Sequence, residues 1–240
     1  MKSPCILLII VCTLSLTGCA STKQADSDSS LGKAQQTLDS LYQHYSAKDS
    51  YLLRESYPFD EQHKVTYLAS EDQANMPNQF SYLWPYSGTF SAVNALFEAT
   101  HDKKYQKLLD KRVLPGLEEY FDIQRTPNAY SSYVQTAPTS DRFYDDNVWL
   151  GIDFTDIYQI TQEKRYLDKA QLIWKFIESG TDSLLGGGIY WCEQKKESKN
   201  TCSNAPGSVL ALKLFKATND SIYFCLLYTS DAADEARSVD

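Results

Sequence analysis

Apolar side chains recur at intervals of three and four residues in five segments of the chain, which is the spacing of one buried face of an α-helix. Residues 32–48 form the earliest segment, and the other four form two consecutive pairs. Pro115 is expected to kink or end the helix in which it lies, and residues 186–191 (Gly-Gly-Gly-Ile-Tyr-Trp) predict a short strand or loop. The apolar positions are, in chain order, Leu38, Leu41, Tyr42 and Tyr45; Phe90, Val93 and Phe97; Tyr105, Leu109 and Val113; Leu150, Phe154 and Ile157; and Tyr166, Ala170, Ile173 and Ile177.

A short repeat marks the junction between the two helices of each hairpin. The pattern Thr-x-(Asp or Glu)-x-x-Tyr begins at Thr100, Thr161 and Thr218, and this spacing of about 60 residues indicates a repeated helical hairpin. The threonine and the acidic residue suit the capping of the second helix. Hairpins that stack form an open solenoid or a closed toroid. A toroid of six such units needs about 360 residues, so residues 31–224 predict about half of one.

Both ends of the chain differ from the hairpins. Residues 1–18 combine a charged start with an apolar run, as a secretory signal does. The segment Leu16-Thr17-Gly18-Cys19 resembles a bacterial lipobox, in which Cys19 is lipidated; a plain signal peptide that happens to hold a cysteine is the alternative. Residues 19–30 predict a flexible tether, so we expect a protein anchored by lipid in a bacterial cell envelope. Residues 225–240 resemble a translated sequencing-adapter run, the alternative being a genuine short tail.

The composition excludes some classes of function. The formal net charge of −8 argues against nucleic-acid binding, which usually requires a basic face. Aromatic residues make up 13% of the chain; flat rings suit carbohydrate binding, although an aromatic core has the same composition. The sequence shows no metal-ligand cluster, phosphate loop or nucleotide fingerprint, so no metal or cofactor is predicted. None of the histidines lies in a segment that carries the candidate chemistry, and none is assigned to catalysis.

One position of the repeat gathers unusual residues. Tyr86, Asn147 and Asn204 each precede a repeat threonine by the same interval. Equivalent positions in successive hairpins occupy equivalent places in a ring, so we expect all three at the N-terminal ends of one helix layer, facing one opening. Their segments are Leu83-Trp84-Pro85-Tyr86-Ser87-Gly88, Tyr144-Asp145-Asp146-Asn147 and Ser203-Asn204-Ala205-Pro206-Gly207.

The adjacent acids Asp145 and Asp146 carry the candidate chemistry. Two acids at a helix start also serve as an N-cap and a first-turn acid, which is the structural alternative. Glycoside cleavage needs two carboxyl groups: one protonates the leaving oxygen, and the other attacks the anomeric carbon or activates water. Adjacent helical residues point roughly 100° apart, which allows carboxyl groups about 5 Å apart, as in a retaining mechanism. Repulsion and burial would raise one of the two pKa values.

Aromatic and amide side chains near the acids are candidates for substrate binding. Trp84 and Tyr86 are expected to stack on sugar rings, with packing at a helix start as the alternative. Trp191 follows three glycines that let its loop approach a ligand. Asn200 and Asn204 suit hydrogen bonds to sugar hydroxyls, although Asn204 also suits an N-cap. The remaining candidates flank the acids and are Tyr144 and Asn147.

Two cysteines of the predicted domain allow two interpretations. Cys192 and Cys202 lie close enough in sequence to close a short disulfide loop, and an exported protein can keep one. Two buried free thiols are the alternative. Without a nearby histidine, the pair does not predict a zinc site.

At these residues the chain resembles glycoside hydrolase family 76, the endo-α-1,6-mannanases. The resemblance covers about residues 81–224. It implies an (α/α)6 barrel, truncated here to about half, and a retaining mechanism in which Asp145 is the nucleophile and Asp146 the general acid/base. It also implies α-mannan or manno-oligosaccharides as the substrate. The motifs that carry it are Leu83-Trp84-Pro85 with Ser87-Gly88, Phe143-Tyr144-Asp145-Asp146-Asn147-Val148-Trp149, Gly186-Gly187-Gly188-Ile189-Tyr190-Trp191, and Lys199-Asn200 with Ser203-Asn204-Ala205-Pro206.

Two other functions stay open on the sequence. A lipid-anchored glycan-binding protein is also helical, aromatic and exported, but it does not need two acids against one bond. Another α/α-barrel enzyme that acts on a different glycan is the third possibility. The family's hairpins after Phe224 are missing. We therefore expect this chain to be inactive and aggregation-prone, because an unclosed ring exposes the apolar surface of its inner helices.

Overall fold

The computed structural model describes residues 29–62 and 78–224. The predicted signal segment, Cys19, most of the tether and the tail 225–240 lie outside the described residues. In the part of the chain that is described, no helix is long and apolar enough to cross a membrane.

The described chain is mostly helical, and a short strand hairpin lies between two of its helices. A π-helical turn (Leu109–Val113) follows α3, and a 3₁₀ turn (Ser221–Phe224) follows α7. Strands β1 (Phe121–Asp122) and β2 (Ala129–Tyr130) pair antiparallel. The α-helices are α1 (Ser30–Tyr45), α2 (Leu83–Thr100), α3 (Lys103–Leu108), α4 (Leu114–Glu118), α5 (Tyr144–Thr161), α6 (Lys164–Ser179) and α7 (Thr201–Thr218).

The first helix is shifted from its predicted range of 32–48. It begins at Ser30, so the predicted tether overlaps it by one residue. The Ser29 hydroxyl caps the helix by accepting a hydrogen bond from the Gly32 N–H at 3.0 Å. The helix ends at Tyr45, and its inward face buries Leu38 and, in part, the other predicted positions.

The predicted repeat register is confirmed at three helices. Helices α2, α5 and α7 each contain 18 residues and end on the repeat threonine. In the first copy, the Thr100 hydroxyl donates to the Leu96 carbonyl at 2.6 Å and accepts from the Asp102 N–H at 3.2 Å, and the other copies repeat both bonds. The residue after each threonine adopts the left-handed conformation that ends the helix. The repeat is therefore a helix C-terminus followed by a tight turn.

The acidic residue of the repeat caps the following element in two of the three copies. Asp102 accepts from the Lys104 N–H at 2.9 Å, and Asp220 accepts from the Ile222 N–H at 3.0 Å. Glu163 makes no side-chain capping bond to α6, so the predicted cap is wrong there.

The helices form an inner and an outer layer. Helix α5 packs against α2, α6 and α7. Helices α2 and α5 bury residues around much of their circumference, as inner helices do, whereas α6 and α7 each bury one stripe, and the stripe of α6 includes its predicted apolar positions. This arrangement of hairpins confirms the predicted all-α barrel class, of which the described residues form a part.

The helix that contains Pro115 continues through a π-helical turn. Leu109–Val113 adopts this wider turn, and Pro115 lies in the first turn of α4. A proline has no N–H to donate, and a first turn needs none. The predicted interruption therefore takes the form of a wider turn, which keeps Leu109, Val113 and Leu117 facing the core.

Loop segments cross the N-terminal ends of the inner helices. Residues 186–191 form a loop with an isolated bridge between Thr181 and Ile189, as predicted, and a second bridge joins Phe143 to Cys192. The fully buried Arg142 fastens these loops together: its Nε donates to Glu193 at 2.7 Å and its Nη1 to the Pro127 carbonyl at 2.8 Å. The loops are thus held where α5 begins.

Candidate active site

The two adjacent acids lie in the first turn of α5. Phe143 is the N-cap residue and makes no side-chain capping bond, so neither acid is the N-cap. The Tyr144 N–H donates to the Trp191 carbonyl at 2.9 Å, which ties this turn to the glycine loop. The side chains of Asp145 and Asp146 border a cavity of about 170 Å³ beside that turn.

The cavity brings together four of the predicted site residues and three that were not predicted. Its lining is Tyr82, Trp84, Ser132, Phe143, Asp145, Asp146 and Trp191. The indole of Trp84 is 52% exposed, so its ring is free to contact a ligand. The ring of Trp191 packs against Phe143 with 5.0 Å between ring centroids.

Several donors surround the carboxylate of Asp145. The Trp191 Nε1–H donates to it at 3.1 Å, and the Asp146 N–H donates to it at 3.1 Å. The Cys202 thiol faces the same carboxylate and also favours its charged form. Burial raises the pKa of Asp145 above its ordinary value, and the Cys202 thiol, the neighbouring backbone N–H groups and the Trp191 indole oppose that rise because they stabilise the charged form.

Asp146 lies in a different environment. It is buried, and within the described residues no hydrogen bond or ion pair reaches its carboxyl group. Burial, followed by the neighbouring Asp145 charge, raises the pKa of Asp146 well above its usual range. The site thus places a carboxyl group whose neutral form is favoured next to one whose charged form is favoured by donors, and such a pair suits acid-assisted nucleophilic substitution.

The two tyrosine predictions are wrong. Tyr86 is buried in the core, where its hydroxyl donates to the Val113 carbonyl at 3.0 Å and its ring fills the space beside Gly116. Tyr144 is also buried, and its ring stacks on Phe176 with 4.5 Å between centroids. Both rings point away from the cavity into packed protein, so neither is available to a sugar.

The amide predictions at Asn147 and Asn204 are also wrong, because both side chains are buried and bonded to backbone. The Asn147 amide accepts from the Tyr130 N–H at 2.9 Å and donates to the Tyr130 carbonyl at 2.9 Å. Asn204 makes the same two bonds to Ile189, at 2.7 and 3.0 Å. Each also donates to the carbonyl four residues earlier in its own helix turn. We call these two side chains the asparagine clamps.

Asn200 does not reach the cavity either. It is the N-cap residue of α7 and makes no side-chain capping bond. Its backbone carbonyl accepts from the Ser203 and Asn204 N–H groups, both at 3.1 Å. The N-cap alternative therefore applies to Asn200, whereas Asn204 lies inside the first turn.

The disulfide is absent, and both cysteines are free. Cys192 is buried, with its sulfur 3.7 Å from the Gln194 Oε1, whereas the exposed Cys202 faces Asp145. The two thiols engage different partners on different elements, so they do not meet. Of the two alternatives, the structure has the free thiols, although only one of them is buried.

The cavity residues that sequence reasoning missed are Tyr82, Ser132 and Phe143. Tyr82 and Phe143 are the N-cap residues of α2 and α5, at the same distance before the repeat threonines, so the repeat register contained a signal for them. Ser132 follows β2 in a loop, and no pattern in the sequence distinguishes it. The described residues contain no group of three or more side chains suited to hold a metal ion.

Known proteins resemble this chain in sequence and in fold. The family model described as glycosyl hydrolase family 76 matches residues 56–226. A family 76 mannosidase from Bacteroides thetaiotaomicron is 30% identical with a TM-score of 0.67, over 82% of this chain and 50% of that protein. A family 76 glycoside hydrolase from a bovine strain of the same species is 29% identical with a TM-score of 0.64, over 82% and 40% of the two chains. No curated protein matches the chain.

A third structure is more distant. It is an inactive variant of an α-1,6-mannanase from a Salegentibacter species, with two adjacent aspartates replaced by asparagine, in complex with α-1,6-mannotriose. It is 23% identical with a TM-score of 0.59, over 83% of this chain and 49% of that protein. The chain thus spans about half the length of these proteins, or less.

The inner and outer helices form part of a helical barrel, and the two acids border a cavity at the helix ends. This fold and the family match place the protein among the glycoside hydrolases. The chain belongs to glycoside hydrolase family 76.

Proposed function

We propose that the whole protein is a retaining endo-α-1,6-mannanase in which Asp145 is the nucleophile and Asp146 the general acid/base. The observation that carries this proposal is the presence of two neighbouring carboxyl groups in one cavity with opposite surroundings. Asp145 accepts hydrogen bonds from the Trp191 Nε1–H and the Asp146 N–H, and Asp146 is buried with a strongly raised pKa. A binding protein gains nothing from burying an acid in this way, because desolvation is costly.

The reaction takes place in two displacements. Asp146 gives its proton to the glycosidic oxygen while Asp145 attacks the anomeric carbon, which breaks the bond and leaves a mannosyl ester on Asp145. Asp146, now charged, takes a proton from water as that water attacks the same carbon, which releases Asp145 and restores the proton to Asp146. Two inversions give overall retention, and no external acid or base is consumed.

The indoles next to the acids suit the rest of the substrate. The exposed ring of Trp84 borders the cavity and offers a flat apolar surface to a sugar ring. The Trp191 Nε1–H fixes the orientation of the nucleophile. The solved relatives include a mannosidase and an α-1,6-mannanase, which supports a mannan or manno-oligosaccharide as the substrate.

We also propose that the protein is held at the cell envelope by lipid on Cys19. Several acyl chains contribute roughly 0.8 kcal/mol for each buried methylene and together give a durable anchor. Replacement of Cys19 by serine is then expected to move the protein from the membrane fraction to the soluble fraction.

The test of the activity uses the whole protein and three mannans. Rapid shortening of α-1,6-linked chains, with little change in α-1,2- or α-1,3-linked chains, is expected. Asp145→Asn should abolish turnover and preserve binding, whereas Asp168→Asn on the exposed side of α6 is the matched control and should preserve both. Binding without turnover in the parent protein would support the glycan-binding alternative, and turnover by Asp145→Asn would overturn the assignment.

A further inference from the structure

Ser132 borders the cavity next to the two acids and has no role in the proposed reaction. The residue is 3% exposed, and within the described residues its Oγ has no hydrogen-bond partner. A buried hydroxyl without a partner is unfavourable, so such groups in native proteins call for an explanation. One explanation is a ligand that supplies the missing bond.

The backbone holds Ser132 in one position. Its N–H donates to the Asp141 carbonyl at 2.8 Å, and its carbonyl accepts from the Leu83 N–H at 2.9 Å. Two residues earlier, Tyr130 is fixed to α5 by the Asn147 clamp. The loop that carries Ser132 is therefore attached to the same helix turn that carries the acids.

Trp191 occupies the equivalent place in the next hairpin. Its N–H donates to the Ser198 carbonyl at 3.2 Å, its carbonyl accepts from the Tyr144 N–H, and the residue two positions earlier is fixed by the Asn204 clamp. Trp191 uses its side chain to hold Asp145. The repeated architecture thus places two residues at the cavity, and the Ser132 hydroxyl is left without a partner in the part of the chain that is described.

The adjacent serine shows what a structural role looks like at this place. Ser131 is fully buried, and its hydroxyl accepts from the Arg125 Nη2 at 3.0 Å. Its backbone N–H donates to the Tyr120 carbonyl at 2.9 Å. Ser131 and Ser132 are therefore a matched pair: the Ser131 hydroxyl is bonded into the fold, whereas the Ser132 hydroxyl has no partner among the described residues and belongs to a residue that borders the cavity.

We propose that the Ser132 Oγ binds a hydroxyl group of the mannose unit that Asp145 attacks, which makes Ser132 a substrate-binding residue. This inference rests on the proposed function. A serine hydroxyl donates one hydrogen bond and accepts others, so it suits a sugar hydroxyl, which has the same capacity. Because the protein has already desolvated this oxygen, the new bond replaces no bond to bulk water on the protein side.

The test measures the affinity for α-1,6-mannotriose by titration calorimetry, in the whole protein with Asp145→Asn and Asp146→Asn to prevent turnover. In this background, Ser132→Ala is expected to weaken binding about 5- to 10-fold and to leave the melting temperature equal or higher. Ser131→Ala is expected to lower the melting temperature and to leave the affinity of the folded protein unchanged.

Singly deoxygenated methyl α-mannosides make the test specific. For the analogue that lacks the hydroxyl bound by Ser132, the affinities of the parent and Ser132→Ala should coincide, whereas the other analogues should retain the difference. Equal affinities for mannotriose in both proteins would overturn the role of Ser132 and leave the proposed function intact. A parent protein that does not bind mannotriose would overturn the proposed substrate, and the Ser132 inference with it.

Discussion

At the scale of single residues, two neighbouring carboxyl groups differ because their surroundings differ. Asp145 accepts hydrogen bonds from the Trp191 indole and the Asp146 N–H, which favour its charged form, whereas Asp146 is buried beside a like charge. The sequence predicted that one of the two pKa values would be raised, and the structure has both raised, with that of Asp146 raised more. The sequence did not identify the donors, because the contact between Trp191 and Asp145 depends on the folded loop.

Trp191→Phe tests the donor at Asp145. This change keeps a ring against Phe143 and removes the Nε1–H bond, so the pKa of Asp145 is expected to rise. The acidic limb of the pH profile of kcat/KM should then move to higher pH. Trp174→Phe is the matched control, because the Nε1 of Trp174 has no partner among the described residues. An unchanged acidic limb in Trp191→Phe would show that the bond does not tune the nucleophile.

Asp153 links the pH to the stability of the inner layer. Burial raises its pKa to about 7, although the Ser91 hydroxyl donates to it at 2.7 Å. The folded state therefore binds more protons than the unfolded state between about pH 4 and about pH 7. The stabilisation from the neutral carboxyl is complete below this window and is lost as the pH rises through it.

Asp153→Asn is accordingly expected to remove most of this pH dependence. Urea unfolding between about pH 4 and about pH 8 should show the parent losing on the order of 2–4 kcal/mol more than the variant. Asp168→Asn, on the exposed side of α6, should behave as the parent does. Parallel curves for the parent and Asp153→Asn would contradict the assignment.

At the scale of helices and loops, the repeat predicted the register of the inner helices but not the direction of their side chains. Side chains in a first helical turn lean toward the N-terminus. Asn147 and Asn204 therefore reach back to the loops. Asp145 and Asp146, which precede Asn147 in the first turn of α5, face the cavity. The hydrophobic period predicts which face of a helix is buried. It does not predict which polar side chains of that helix bond to the loops, because those bonds form only when the loops are folded.

Asn204→Ala tests the clamp. It removes three hydrogen bonds and leaves the Ile189 backbone unpaired inside the protein, so a loss of about 1–3 kcal/mol of unfolding free energy is expected. Urea unfolding measures this loss. Asn200→Ala removes an amide without a capping bond and serves as the matched control. Equal losses in the two variants would show that the clamp does not stabilise the loop.

At the scale of the molecule, the inner layer has an edge with apolar side chains in solvent. Val209 and Leu212 on α7 are 45% and 44% exposed. The sequence predicted exposed apolar surface on the inner helices, and the residues named here were identified only from the structure. Ser132 could not be predicted from the sequence either, because its place in the cavity depends on contacts between distant segments.

This apolar edge is expected to promote self-association of the chain. Val209→Lys with Leu212→Lys should lower the associated fraction in sedimentation velocity, because the charges oppose apolar contact. Leu184→Lys with Leu185→Lys, in the exposed loop before Gly186, is the control for added charge. Equal decreases in both double variants would assign the effect to net charge.

Azide rescue of two alanine variants of the whole protein tests the central claim most directly. With an aryl α-mannoside, Asp145→Ala and azide should give the β-mannosyl azide, because azide then attacks the substrate itself. Asp146→Ala and azide should give the α-mannosyl azide, because azide attacks the ester on Asp145 from the opposite face. The reverse assignment of anomers, or no rescue of either folded variant, would contradict the roles given to Asp145 and Asp146.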